Sequence, residues 1–314
     1  MWVIDWAKSH PQAAALYTCF AVGVLVVYRT LTTKATGEYD YILTLSAALQ
    51  TLAFGLLDFD TKSNVGEGLS EKTLVAFLLA HMARTSTTFT GEGYIPEDNT
   101  ADVYLYQLLE VAGVAFLAHK LNKVKAARSM NQIAQGVERW SLVGSMVGLA
   151  LALGYFTKST GHNQFWMDWA WMASVWLEAF ALFPQVYLLI SAAAPYVDDT
   201  AVHFAGLTLS ASGFFALFWG RAAKVTEDYD MFSTEHRRRQ RDPTEDRYNE
   251  FEKTGEHLFF IAIMGAVMVR VTLCSAYFYV FMKTSRGHKG ALVSSGKGEY
   301  ELCMSDDQTD FDEL

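Results

Sequence analysis

Residues 142–156 read LVGSMVGLALALGYF. The stretch has no charge and no polar stripe at a period of 3.6 residues, so it has no face to offer to water. In lipid, a helix satisfies every backbone N–H and C=O within its own segment. An all-round apolar helix of this kind reads as a membrane span, and the reading extends outward along the chain. A span needs about 20 mostly apolar residues to cross ~30 Å of hydrocarbon. Pro11–Tyr28 is uncharged, and so is Tyr41–Leu57, with Gln50 as its main polar interruption. Thr73–Thr88 is apolar apart from His81, Arg84 and hydroxyls, and Val103–Ala118 holds one acid, Glu110. Phe165–Ser191 is long and aromatic, with Asp168 near its start and Glu178 inside. Val202–Leu217 runs on through Trp219 to Arg221, and Leu258–Met282 holds only Arg270. Together these make eight spans and an all-α polytopic membrane protein.

Composition agrees. Of 314 residues, 51% are hydrophobic and 19% charged, which excludes a mainly disordered chain. The formal charge of −9 argues against a nucleic-acid binder. Cys19, Cys274 and Cys303 share no metal-ligand spacing, so neither a metal site nor a disulfide framework is expected. The charge is uneven. Residues 291–314 carry seven acids, Glu299 to Glu313, against Lys297, which is −6 of the −9. The first span lacks a basic start and an evident A-x-A site, so it reads as a retained helix.

Basic residues in short loops set orientation. Lys120, Lys123, Lys125, Arg128 and Arg139 mark one loop as cytosolic, as do Lys283, Arg286 and Lys289 after the last span. The segment Gly91–Asp102 has four acids and no base, which places it on the opposite side. With eight spans both termini are cytosolic. The hydrophilic stretch Lys224–Glu256 is then non-cytosolic.

Ionisable groups at membrane depth cost about 2.5–3.5 kcal/mol on insertion scales and mark a cavity or an internal pair. The candidates are His81, Arg84, Glu110, Asp168, Glu178, His203, Arg221 and Arg270. His81 and Arg84, three apart, share a helical face. Asp168 and Glu178 are ten apart, about 80° short of three turns, and look toward adjacent sectors. Two readings compete: a cavity with arginines for an anionic ligand, or ion pairs that hold the bundle together. Asp168 and Arg221 lie near span ends, where charged side chains snorkel to the interface. Arg84 and Glu178 lie deeper and suit the cavity. His81 and His203 read as hydrogen-bonded core histidines with a possible pH-sensing role, because imidazole titrates near neutrality. Trp166 and Trp169 read as an interfacial belt. Pro184 should kink its helix. No P-loop, GxSxG, HExxH or GxGxxG motif is present, and no enzyme is expected.

Trp171-Met-Ala-Ser-Val-Trp-Leu-Glu178, followed by Pro184–Gln185, resembles the W-x4-YLE-x5-PQ segment of the KDEL receptor family, the ER lumen protein-retaining receptors. Gly68-Leu-Ser-Glu-Lys-Thr73 with Arg84 resembles that family's G-[IL]-S-x-K-[ST] turn and the arginine of its second helix. His203, Trp219 and Arg221 are similar to its H-Y…W-x2-R helix, and Leu273–Tyr279 with Lys283 resembles its last span. The resemblance runs from about Tyr41 to Lys289. The extra first span is similar to that of the KDEL-receptor-like proteins of plant type.

The resemblance implies a seven-helix SWEET/PQ-loop-like core over residues 38–290. An additional N-terminal helix lies in 1–37 and an acidic cytosolic tail in 291–314. It also implies a multi-pass protein of endoplasmic reticulum and Golgi membranes that binds C-terminal KDEL- or HDEL-type retrieval signals in a pH-dependent way. Arg84, Asp168, Glu178, Trp219 and Arg221 would then be ligand-binding. No cofactor is implied. The implied partners are retrieval-signal peptides, vesicle coat machinery through the tail, and membrane lipid. The sequence departs from the family pattern at Leu49, Thr87, Ala211–Ser212, Phe215, Phe218 and Ala276, so much of the peptide site is apolar here. The alternatives are a PQ-loop/SWEET-type solute transporter and a receptor-like protein that has lost peptide binding. The terminal Phe311-Asp-Glu-Leu314 imitates a retrieval signal, but the orientation puts it in the cytosol, out of reach of such a receptor.

Overall fold

The computed structural model describes residues 11–32, 40–59, 70–90, 100–130, 140–158, 165–191, 199–237 and 258–280. The acidic tail, the terminal Phe311–Leu314 and most of the stretch after Arg237 lie outside the described residues. The helices are α1 Pro11–Thr32, α2 Asp40–Phe59, α3 Glu71–Thr90, α4 Thr100–Met130 and α5 Trp140–Thr157. They continue with α6 Phe165–Phe180, α7 Phe183–Ser191, α8 Asp199–Arg237 and α9 Leu258–Val280. No strand occurs among the described residues. The protein is all-α and polytopic.

Burial is distributed as a bilayer requires. On α3, Leu79, Met82 and Phe89 are exposed while Lys72, His81 and Arg84 are buried. A water-soluble bundle would reverse that pattern, because charge belongs in water. Within lipid, the apolar faces turn outward and the ionisable groups turn in. Among the described residues, three helices are apolar and long enough to span on length and composition alone: Tyr41–Asp58, Trp140–Thr157 and Leu258–Val280. α6 and α7 are shorter, at 16 and 9 residues.

α2 packs against α1, α4 and α8, and α3 packs against α4, α5, α6 and α7. One core gathers around Phe54, Leu74, Phe77, Leu117 and Leu182. A second gathers around Trp171, Phe215, Trp219, Phe259 and Ile263. α5 and α6 approach closely: a Cβ on Gly154 would stand 2.7 Å from the backbone nitrogen of Ala173.

The helices outrun the spans expected from hydropathy. α4 has 31 residues and α8 has 39, about 46 and 58 Å at 1.5 Å per residue. Lys120, Lys123, Lys125 and Arg128 therefore sit on the last turns of α4 rather than in a loop. No Gly or Pro interrupts residues 119–130, and Lys, Arg and Ala are good helix formers. Their positive charge also suits a helix C-terminus. Asp58, buried near the end of α2, accepts from His119 Nδ1 at 2.7 Å and from Lys123 Nζ at 3.1 Å. Lys123 Nζ also donates to the Asp58 carbonyl, which ties α2 to α4.

Pro184 breaks its helix. A proline ring clashes with the carbonyl four residues back and brings no N–H. That carbonyl is Phe180's, where α6 ends; a turn at Ala181–Leu182 follows and α7 restarts at Phe183. Both turn residues are buried, the condition under which broken helix is tolerated at membrane depth.

The Ser70 turn is tied to this break. Ser70 caps α3 through Oγ, which accepts from Thr73 N at 3.4 Å. Its own N–H donates to Gln185 Oε1 at 2.6 Å. Gln185→Ala should orphan that buried N–H, at about 1–3 kcal/mol. Thermal unfolding in detergent measures the loss; an unchanged midpoint would show the bond to be idle.

Candidate functional site

Charged residues from four helices meet in one place. Glu178, one turn before the α6 break, gives each carboxylate oxygen to a different arginine. Oε2 accepts from Arg84 Nη1 of α3 at 2.7 Å, and Oε1 accepts from Arg270 Nη1 of α9 at 2.6 Å. Glu110 of α4 stands beside them, with Oε1 3.3 Å from Arg84 Nε and Oε2 accepting from His81 Nδ1 at 2.7 Å. His81 Nε2 is 3.6 Å from Glu178 Oε1. Arg270 Nη2 also donates to Gln50 Oε1 of α2.

All six side chains are buried, at 2% to 7% exposure. They lie ten to thirteen residues along their helices, about 15–20 Å from one end and near the middle of a ~30 Å hydrocarbon layer. Two arginines and two glutamates cancel, so the cluster is neutral when His81 is neutral. The edge of Phe54 meets the His81 ring, with centroids 5.0 Å apart and planes at 88°.

A cleft of about 10 Å³ adjoins the cluster. Ser46, Gln50, Arg84, Tyr106, Glu110 and Arg270 are among its lining residues, and Phe215 closes the apolar side. That volume suits one water. A second, apolar groove of about 440 Å³ runs between α1, α2 and α4, lined by Phe20, Val24, Leu45 and Leu109 among others.

Two planar guanidinium forks at one point are suited to binding carboxylate. Among the described residues no group of His, Cys, Asp or Glu is arranged to hold a metal ion.

Of the ionisable residues singled out at membrane depth, His81, Arg84, Glu110, Glu178 and Arg270 come together here. Asp168, His203, Arg221 and the expected ligand residue Trp219 stand elsewhere. Asp168 is buried in the first turn of α6 rather than turned out to the interface. An acid there meets the positive end of the helix dipole, which favours keeping it inside. Arg221 is exposed near the middle of α8. Trp219 is buried among rings, 5.3 Å from Trp171 and 5.6 Å from Phe259 between centroids. His203 accepts or donates at Nδ1 to Tyr17 Oη, 3.0 Å away, and so joins α8 to α1. Trp166 is 71% exposed in a ring cluster with Phe165 and Trp169.

Glu110 and Arg270 are candidates for a cavity or an internal pair from the sequence but not among the ligand-binding residues that the resemblance implies, and Gln50 joins them only in the structure. Their signal was present: Glu110 and Arg270 are each the only charge in an expected span.

The sequence model of one protein family, described as ER lumen protein retaining receptor, matches residues 66–221. The matched segment contains His81, Arg84, Glu110 and Glu178 and ends before Arg270. Comparison with curated proteins gives no match.

Proposed function

We propose, because the chain belongs through residues 66–221 to the ER lumen protein retaining receptor family, that it captures C-terminal retrieval signals of KDEL or HDEL type on its buried charge cluster. The family is one of receptors, not enzymes, and acts in membranes of the ER–Golgi system. The observation that carries the reading is the convergence of Arg84 and Arg270 on one carboxylate at membrane depth. A retrieval peptide ends in a carboxylate and carries acidic side chains, the groups such arginines select.

Proton dependence enters through His81. Imidazole is the side chain that titrates between about pH 5 and 8, and this one touches both glutamates of the cluster. In this reading residues 38–290 form the receptor core, α1 is an addition docked through Tyr17–His203, and the tail 291–314 faces coat machinery in the cytosol.

The transporter alternative rests on the repeat architecture that the resemblance implies and on Pro184–Gln185. In this chain both have structural work, the proline breaking the helix and the glutamine holding the Ser70 turn.

The test is binding of labelled peptides ending in Lys-Asp-Glu-Leu or His-Asp-Glu-Leu to the full chain in detergent. Affinity should rise as pH falls, by up to about tenfold per unit if one proton is taken up per peptide. His81→Gln should flatten that dependence. Equal affinity at both ends of the range, or no binding at either, would overturn the proposal.

A further inference from the structure

The apolar groove between α1, α2 and α4 lies on other faces of α2 and α4 than the charge cluster. On α2 the cleft beside the cluster is lined by Leu43, Ser46, Ala47 and Gln50, whereas the groove is lined by Tyr41, Thr44, Leu45 and Ala48. On α4 the cleft takes Tyr106 and Glu110, and the groove takes Leu105 and Leu109. We propose that the groove binds an acyl chain of one phospholipid, whose headgroup sits level with Tyr41 and Tyr104. The site belongs to a different face of the bundle from the peptide site and stands or falls without it.

The groove is closed at its inner end. Thr51 Oγ1 donates to the Leu109 carbonyl at 2.9 Å. A Cβ on Gly113 would stand 3.3 Å from the Phe54 ring, so α2 and α4 are in contact there. Tyr17, one turn below Phe20, ties α1 to His203 of α8. Above these ties the groove separates the three helices. Gly23 on α1 and Ala48 on α2 leave the space unfilled, and a Cβ added at Gly23 meets nothing within 4 Å. From Ala48 to Tyr41 the groove runs about 10 Å at 1.5 Å per residue. It reaches its outer end at the start of α2, remote from Asp58 and the basic end of α4.

The lining decides the occupant. It contains no Asp, Glu, Lys, Arg or His, so nothing in it offers a partner to a charge. A void with apolar walls stays dry, and one of about 150 Å³ already takes up a small hydrocarbon. This one, at about 440 Å³, is of the size that holds small ligands. Val22 and Leu25 beside it are exposed, as on a face turned to lipid. Its polar members, Tyr41 and Thr44, both lie in the first turns of α2. Tyr104, exposed near the start of α4, marks the same level. Tyrosine settles where headgroups meet hydrocarbon. An amphiphile with its polar part at Tyr41 and its chain toward Phe20 and Ala48 follows that order.

Length and polarity exclude the other occupants. A spanning helix, from a partner or a second copy, needs about 30 Å of contact, and the groove supplies about a third of it. The connecting residues 33–39, Thr-Lys-Ala-Thr-Gly-Glu-Tyr, are too polar for apolar walls. Hydrocarbon gains little by leaving lipid for an equally apolar surface, so packing has to hold it. A chain beside one convex helix touches protein on one side, whereas here three helices surround it and every added contact contributes attraction. That surplus separates a bound lipid from the rest of the bilayer. It also means that a side chain filling the groove from Gly23 should displace the lipid.

The experiment uses the full chain in detergent, stripped of lipid, with dioleoylphosphatidylcholine, cholesterol or phosphocholine added. Native mass spectrometry should show one phosphatidylcholine retained per chain, and the lipid should raise the melting temperature. Phosphocholine, the headgroup without chains, should do neither. Gly23→Trp places an indole in open space and should lose both the retained lipid and the melting shift. It should melt no lower than the lipid-free wild type, because glycine is the poorer helix former. Leu45→Trp, which fills the groove from α2, should repeat the loss of lipid. Gly213→Trp on α8, where an added Cβ also meets nothing within 4 Å, should keep lipid and shift alike. A wild type that retains no phosphatidylcholine, a Gly23→Trp chain that retains it as well as the wild type, or an equal loss in Gly213→Trp overturns the site. Retention of cholesterol in place of phosphatidylcholine would give the groove to a sterol, and a dimer dispersed by Gly23→Trp would give it to a second copy. Either result overturns the acyl-chain assignment.

Discussion

Arg84→Ala is expected to abolish peptide binding and to destabilise the chain by about 3–5 kcal/mol. Arg84 holds Glu178 Oε2 at 2.7 Å and stands 3.3 Å from Glu110 Oε1, so its loss strips a partner from both glutamates at once. The cluster would then carry −1 with His81 neutral, far from water. Removing one member of a buried charge group leaves the others uncompensated, which costs more than the intact group contributes. Arg84→Lys should recover part of the stability but little of the binding. Its ammonium is a point charge and lacks the planar fork that engages two carboxylates. Thermal unfolding and peptide binding on the same detergent sample read the two effects separately. An Arg84→Ala chain that binds peptide at full strength would refute the assignment.

The second large effect is expected away from the charges. At Gly154 a Cβ would sit 2.7 Å from the nitrogen, 2.9 Å from the Cα and 3.0 Å from the Cβ of Ala173. The obstructing atoms include backbone, so no rotamer change relieves the clash and α5 has to move off α6. Ala150, four residues earlier, is also buried, giving the small-xxx-small spacing that lets membrane helices approach closely. Gly154→Ala should cost about 1–3 kcal/mol, the usual range for overpacking, and Gly154→Leu more. Gly144 and Gly148 on the same helix have nothing within 4 Å of an added Cβ. Alanine there should be neutral or slightly stabilising, since glycine is a poor helix former. Equal losses at all three positions would mean that helix propensity, not the α5–α6 contact, decides.

Much of the fold is legible in the sequence because lipid imposes one rule on every span. Stretches such as 142–156 have no alternative to a helix, and Pro184 announces its break. Helix ends were less legible: α4 and α8 continue past the apolar stretch, since hydropathy reports where lipid ends and not where helical hydrogen bonding stops. The site is legible only in part. Arg84 and His81 share a face by spacing, and Glu178 stands out in its motif. Spacing fixes faces within one helix and says nothing of which helices become neighbours. The contact of α9 with α2 and α6 through Arg270 spans 220 residues to Gln50. Nothing local to either residue signals it.

The same limit explains Trp219 and Arg221. One is absorbed into an aromatic core and the other is exposed, although their positions on α8 resemble those of a ligand helix. Where the family pattern has polar residues, Phe215 lines the cleft and Phe218 packs against Trp219. The cleft beside the arginines thus has an apolar side of Leu43, Ala47 and Phe215.

The central claim is that Arg84 and Arg270 recognise a ligand's terminal carboxylate. Its most direct test is the binding of one retrieval peptide, as free acid and as C-terminal amide, to the wild-type chain near pH 5.5. The free acid should bind and the amide should not, with at least about a tenfold difference between them. Equal binding of the two forms would contradict it.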